Sequence, residues 1–277
     1  MPGTNVLPLL SLLLIVGAPT LASSQQSPAV PVDTLIDVGG HRLHFNLWHH
    51  RGDITLVFEA GGAANLGSWD SVPAMAARTL GVRVVAYDRA GLGSSETGPL
   101  NLTPAEEIDH LARALSRLGG DRIVLIGHSY GGLLSLYHAL RHPGRIVGLV
   151  LVDPMNPDFI KRVTLEWLNS TVPEIAHPTT PREIVVSRMK RTIGDLVART
   201  ETAITTISVP VVVLTAGLPW WGDPARDEAW RASHETIAAG KPNRRLIVAS
   251  RSRHDIPGTE PETVVEAIRL LLTLLPS

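Results

Sequence analysis

The chain has 277 residues, a formal charge of −1 and no cysteine, which excludes disulfides, a thiolate nucleophile and a lipid-modified N-terminal cysteine. That length suits one large α/β domain with an insertion, and 44% hydrophobic against 18% charged residues is the balance of a chain that buries a sizeable core. The 25 basic residues are scattered and only Lys161, Lys190 and Lys241 are lysines, so neither a patch nor the net charge points to nucleic acid; a neutral or apolar small molecule is the expected partner.

Residues 6–16 are an apolar run followed by small and polar residues, with Ala22, Ser23 and Ser24 as a cleavage pattern. This reads as a signal peptide over 1–24 and a Ser/Gln/Pro-rich linker over 25–32. The run is too short to cross a bilayer comfortably, so the mature chain is expected to be secreted or periplasmic with no stable membrane span. No Lys or Arg precedes the run, which keeps an uncleaved membrane anchor as the alternative.

The main domain is expected over 33–277. Residues 34–38 and 42–48 flank Gly39 and Gly40 as a β-hairpin. Ile54-Thr-Leu-Val-Phe58 reads as a buried strand ending in the Gly-rich loop Glu59-Ala-Gly-Gly-Ala63. A helix over 71–80 and a strand over 82–87 follow, the latter ended by Asp88-Arg-Ala-Gly-Leu-Gly93. Thr103, Pro104, Glu106 and Glu107 open a helix that runs to about 118 and stops at Gly119 and Gly120. A strand leads to Ser129, a helix covers 130–141, and a strand over 145–152 ends at Asp153 and Pro154. From about 157 to 207 the rhythm lapses into helical segments broken by Pro173, Pro178 and Pro181, an insertion placed to act as a lid. A strand over 209–214, a helix over 227–239, a strand over 245–249 and a helix over 261–275 complete the chain. Alternating strands and helices predict an α/β fold with a mostly parallel central sheet and helices on both faces.

Ser129 stands between Gly127 and Gly131, after a β-branched apolar run and before a helical period. A strand that turns at once into a helix leaves no room for flanking side chains, so glycines there let the serine take strained angles and project its hydroxyl. A hydroxyl attacks only if an imidazole takes its proton and a carboxylate orients that imidazole. His254 is the candidate base, the only histidine after the 245–249 strand; the other ten are expected to be structural or solvent-facing. Two carboxylates compete as the acid. Asp153 ends a rigid strand and is placed first, and Asp223, in a Pro/Trp/Gly loop, is the alternative, with Trp220 near the place where an aspartate is looked for. The developing oxyanion needs N–H donors, for which the candidates are the amides of Tyr130 and Gly62, with Gly61 and Ala63 close behind. Glu59 at the strand end needs a partner if buried, and Arg89 is the expected one. No metal-ligand spacing and no phosphate-cradling glycine motif is present, so no cofactor is expected.

The Gly127-His-Ser-Tyr-Gly-Gly132 elbow, the Asp88-Arg-Ala-Gly-Leu-Gly-Ser94 loop, the Glu59-Ala-Gly-Gly loop with Trp69 downstream, and His254 together resemble the α/β-hydrolase superfamily over roughly residues 34–275. The likeness is greatest to the lidded, single-domain subgroup that holds esterases, lactonases and prolyl aminopeptidases. It implies Ser129 as nucleophile, His254 as base, and Tyr130 and Gly62 as oxyanion donors. Two departures stand out: Ala60-Gly61 preceded by Glu59 replaces the His-Gly of many members, and the acid after the penultimate strand is displaced or missing. A serine at 129 argues against the dehalogenase branch, whose nucleophile is an aspartate. The expected function is a serine hydrolase acting on carboxylic esters of small apolar substrates through an acyl-enzyme. Peptidase, lactonase or thioesterase activity on the same triad, a proton-shuttling lyase, and a catalytically idle binding fold are the alternatives.

Overall fold

The computed structural model describes residues 30–48, 52–239 and 241–276. The expected signal peptide and all but the end of the linker lie outside the described residues. Strands β1 (Val32–Asp37), β2 (Arg42–Trp48), β3 (Ile54–Glu59), β4 (Arg83–Tyr87), β5 (Arg122–His128), β6 (Ile146–Val152), β7 (Val211–Ala216) and β8 (Arg244–Ala249) form one sheet in the order β1-β2-β4-β3-β5-β6-β7-β8. β1 and β2 pair antiparallel across the Gly39-Gly40 turn, β2 pairs antiparallel with β4, and the remaining neighbours are parallel. The parallel strands therefore all end on one edge, where functional groups collect.

Period-two alternation sorts the strand side chains to two cores. Val57, Val85, Leu125, Leu149 and Val213 face α2 (Pro104–Leu118) and α3 (Tyr130–Arg141), while Leu56, Phe58, Val84, Ile126, Val150 and Leu214 face α1 (Val72–Leu80) and the closing helix, Pro261–Leu274. Both faces are dry, which is why the central strands read as continuous apolar runs and not as alternating ones. Between β6 and β7 stand four helices: α4 (Pro157–Val163), α5 (Leu165–Thr171), α6 (Pro181–Thr200) and α7 (Ala203–Thr206). Leu133, Tyr137, Phe159, Leu168, Ile193 and Leu196 join α4 to α6 onto α3 in a third apolar cluster beside the strand ends. Two more helices, α8 (Pro224–Ala238) and α9 (Ile256–Thr259), flank β8, and Pro261–Leu274 is α10.

Most boundaries fall within three residues of those read from the sequence. The differences have local causes. α8 begins at Pro224, three residues before the expected start, because Asp223 caps its first turn. Pro181, read as a breaker, opens α6 at its first position behind a Thr180/Glu183 capping box. The 3-10 turn Leu66–Trp69 and the one-turn α9 are too short to carry a sequence period.

Candidate active site

Ser129 joins β5 to α3 at φ 53° and ψ −120°, a left-handed backbone that a side chain adopts only under constraint. The constraint is visible. Its N–H donates to Val152 (3.1 Å) on β6, and its carbonyl accepts from Gly132 and Met155, each at 2.9 Å. Gly131 is required because a Cβ there would lie 2.6 Å from the Ala60 carbonyl oxygen, and one on Gly127 would lie 2.6 Å from the Gly131 oxygen.

The imidazole of His254, on the loop after β8, reaches the serine: Nε2 and Ser129 Oγ are 2.9 Å apart. On its other side Nδ1 lies 2.7 Å from Asp153 Oδ2. An ionised carboxylate can only accept, so Nδ1 carries the proton and the bare Nε2 accepts from the serine hydroxyl. Asp153 is fully buried at the end of β6, where its Oδ1 accepts the Ala216 amide at 2.8 Å. Burial alone pushes this carboxyl up, but the His254 hydrogen bond and the Ala216 amide outweigh it and hold it below the usual range.

Asp223, the alternative acid, is turned to its own helix. It accepts from the amides of Ala225 (2.9 Å) and Arg226 (3.4 Å) and pairs with the Arg226 guanidinium, so its oxygens are occupied as an N-cap and not by His254. The place beside the imidazole belongs to Trp220, whose ring stacks on His254 at 4.1 Å and 12°. Trp221, Trp230, Trp167 and Phe159 continue from it as an aromatic cluster, with Trp220 and Trp221 3.9 Å apart and Phe159 and Trp230 4.6 Å apart.

The loop after β3 lies against the serine, a Cβ on Gly61 falling 3.2 Å from Ser129 Cβ. Arg89 holds this loop from behind. Nη1 donates to Glu59 Oε1 (2.7 Å) and to the Ala60 carbonyl, and Nη2 to the carbonyls of Gly61 (3.1 Å) and Gly62. In a trans peptide the N–H points opposite to the preceding carbonyl, so the Gly62 and Ala63 amides face away from Arg89. Glu59 is buried, and the expected pairing with Arg89 is present, with Tyr87 donating to the other oxygen. Burial raises the Glu59 carboxyl, and the Arg89 charge pulls against that rise. The Tyr130 amide is the first of α3 and has no partner within the helix.

Two further histidines border the site, beyond what the sequence distinguishes. His128 Nε2–H donates to the His254 carbonyl at 2.9 Å, and burial next to the His254 ring lowers its pKa to about 4, so it is neutral and ties the His254 loop to β5. His234 on α8 lies 3.7 Å from Asp153 Oδ1. The first is adjacent to Ser129 in sequence; the only sequence signal for the second is its position one helical turn after Trp230. Among the described residues, no group of three or more His, Cys, Asp or Glu side chains could hold a metal ion. No helix among them is long and apolar enough to cross a membrane.

The chain is similar to YqjL of Bacillus subtilis, 26% identical over 231 residues that cover 81% of this chain and 86% of that one. It is also similar to the non-heme chloroperoxidase of Streptomyces lividans, 33% identical over 135 residues, 47% of this chain but only 48% of that protein's length. Among solved structures, Est816, described as an N-acyl homoserine lactone degrading enzyme, superposes with a TM-score of 0.65 at 19% identity, over 85% of this chain and 99% of Est816; at that identity the likeness speaks for the fold alone. The model of the alpha/beta hydrolase family matches residues 56–267, from β3 into α10 and across the elbow, Asp153 and His254. The chain belongs to the alpha/beta hydrolase family and is a hydrolase of that fold.

Proposed function

We propose that the protein is a serine hydrolase that cleaves carboxylic esters of small apolar substrates through an acyl-enzyme. The observation that carries this reading is the unbroken chain from Ser129 Oγ through His254 (2.9 Å) to buried Asp153 (2.7 Å). In the first half-reaction Ser129 Oγ bonds to the ester carbonyl carbon while its proton passes to His254 Nε2. The carbonyl oxygen becomes an oxyanion between the amides of Tyr130 and Gly62, each such donor lowering the barrier by about 2.7 to 4 kcal/mol. Collapse breaks the C–O bond to the alcohol, which leaves with the proton from Nε2. Water repeats the sequence and releases the acid. Asp153 fixes the tautomer of His254 and stabilises the imidazolium.

Apolar substrates are favoured by a wall beside His254, the partly exposed indoles of Trp220, Trp221 and Trp167 backed by the buried rings of Phe159 and Trp230. Helices α4 to α7 would close over this wall as a lid. Lactones, which are cyclic esters open to the same attack, are the second substrate class to test. The leader over residues 1–24 favours export of the mature chain to a secreted or periplasmic location.

The test is a rapid-mixing assay of the purified protein with p-nitrophenyl esters of increasing acyl size, with intact-mass detection of the quenched enzyme. A burst of nitrophenol and an acyl adduct mapped to Ser129 are expected. Turnover that persists in Ser129→Ala, or a folded wild type that neither turns over nor acylates with any ester or lactone, would overturn the reading in favour of a different nucleophile or a binding role.

A further inference from the structure

Asp153 adopts φ 42°, a left-handed conformation that strains a residue bearing a Cβ. That turn sends one carboxylate oxygen to His254 and the other to the Ala216 amide. Its near side is held by the Asp153 N–H, which donates to Leu214 at 2.8 Å. Its far side has no N–H to offer, because the next residue is Pro154. The residues beyond the proline hold it instead: the Met155 N–H donates to the Ser129 carbonyl at 2.9 Å, and the Pro154 carbonyl accepts Nε2–H of His234 at 2.9 Å and Nδ2–H of Asn156 at 3.2 Å.

His234 has no solvent exposure, and its other nitrogen faces Thr215 Oγ1 at 2.8 Å. A carbonyl can only accept, so Nε2 bears the proton and Nδ1 is bare, receiving the Thr215 hydroxyl proton. Nδ1 is also the atom 3.7 Å from Asp153 Oδ1. That nitrogen carries no hydrogen and its lone pair is taken up by Thr215, so His234 offers Asp153 no proton that would compete with His254. Burial lowers the pKa of His234 and keeps the ring neutral. Two earlier residues of the same helix, Trp230 one turn back and the adjacent Ser233, complete the brace. Trp230 sets its ring edge against both His254 and His234 at 5.7 and 5.1 Å, and Ser233 Oγ accepts from Asn156 at 2.9 Å.

We propose that His234 is a positioning residue for Asp153: through the Pro154 carbonyl it locks the strained turn that aims the acid, and with Thr215 it presents a proton-free nitrogen to the carboxylate. The proposal rests on the reading of Asp153 as the acid of the triad. It gives α8 a role beyond covering the sheet, since one face of that helix steers the turn behind the acid and touches the base.

The test is a double-mutant cycle on kcat for an activated ester, pairing His234→Ala with Asp153→Asn. His234→Ala lowers kcat between about 10- and 100-fold, the scale of a small misplacement of a reacting group, with KM changed less than about 3-fold. His234→Gln, whose amide N–H can reach the Pro154 carbonyl, recovers most of that loss. In the Asp153→Asn background His234→Ala costs less than about 2-fold more, because the group it positions is already disabled. Equal losses in both backgrounds, or a Gln variant no better than Ala, overturn the proposal and leave the triad reading intact. Wild-type kcat in Asp153→Asn overturns the triad reading and the proposal with it. Should His234→Ala fail to fold, the near-isosteric Thr215→Val runs the same cycle: a loss of a few-fold that vanishes beside Asp153→Asn supports the proposal, and an equal loss in both backgrounds overturns it.

Discussion

A buried carboxylate serves an imidazole only where donors offset its desolvation, and this separates the two aspartates. Asp153 receives His254 and the Ala216 amide in full burial, whereas Asp223 is partly exposed and capped onto α8. Asp153→Asn is therefore expected to lower kcat by about 10³- to 10⁴-fold, the scale of a base left in the wrong tautomer. Asp223→Ala is expected to cost about 0.5 to 2 kcal/mol of stability, as loss of a helix cap does, with kcat unchanged. Steady-state kinetics and urea denaturation of both variants check the pair. Arg89 is the second residue whose role is decided by burial. Arg89→Met strands the Glu59 carboxylate and is expected to destabilise by about 3 to 5 kcal/mol, while Glu59→Gln in the same background returns part of that loss. Equal stability of wild type and Arg89→Met in urea denaturation would refute this account. Asp153 was legible in the sequence as a carboxylate ending a rigid strand. The occupation of Asp223 was not, because N-capping depends on where α8 starts, which Pro224 and the cap settle together.

At the scale of elements, the site is built where four strands end: β3 brings the Gly-rich loop, β5 the serine, β6 Asp153 and β8, through the loop after it, His254. Gly131 is the contact point between the first two, its Cα facing the Ala60 carbonyl with no space for a methyl group. Gly131→Ala is expected to cost about 1 to 3 kcal/mol through overpacking. It is also expected to reduce kcat more than it raises KM, since in the proposed reaction the displaced amides act on the transition state. An unchanged kcat in that variant would show that the β3 loop takes no part in the chemistry. The elbow could be read from the sequence because glycine spacing, strand and helix all fall within a dozen residues. The insertion was read only in outline. Pro181 breaks a helix in its interior but opens one at its first position, and only the Thr180/Glu183 box behind it distinguishes the two cases.

Across the whole molecule, the alternating pattern gave the parallel layering, but the order β2-β4-β3-β5 follows from pairings between strands far apart in sequence and leaves no periodic trace. The folded molecule also holds neutral histidines in places the pattern does not mark. Burial lowers His138 to about 3 and His128 to about 4, and it lowers His234 as well. Between those values and the ordinary histidine value of 6.5 the unfolded chain binds protons that the folded one refuses, so stability rises with pH across that window and falls as the solution is acidified. The depressed carboxyl of Asp153 adds a further loss as pH drops through its folded value. These histidines are accordingly expected to contribute a fall in the urea midpoint between about pH 6.5 and about pH 4, opposed by Glu107, which burial raises to about 7, and the fall on acidification is expected to be smaller in His138→Gln than in the wild type. The same pH dependence in His138→Gln and the wild type would show that this ring is not held neutral.

The central claim is that Ser129, His254 and Asp153 work as one nucleophilic unit. It is tested most directly by the rate at which a fluorophosphonate probe labels the folded wild type beside Ser129→Ala, His254→Ala, Asp153→Asn and Asp223→Asn. Labelling absent in Ser129→Ala, greatly slowed in His254→Ala and Asp153→Asn, and undiminished in Asp223→Asn is the expected result. Labelling that survives Asp153→Asn and fails in Asp223→Asn, or a folded wild type that takes no label, would contradict it.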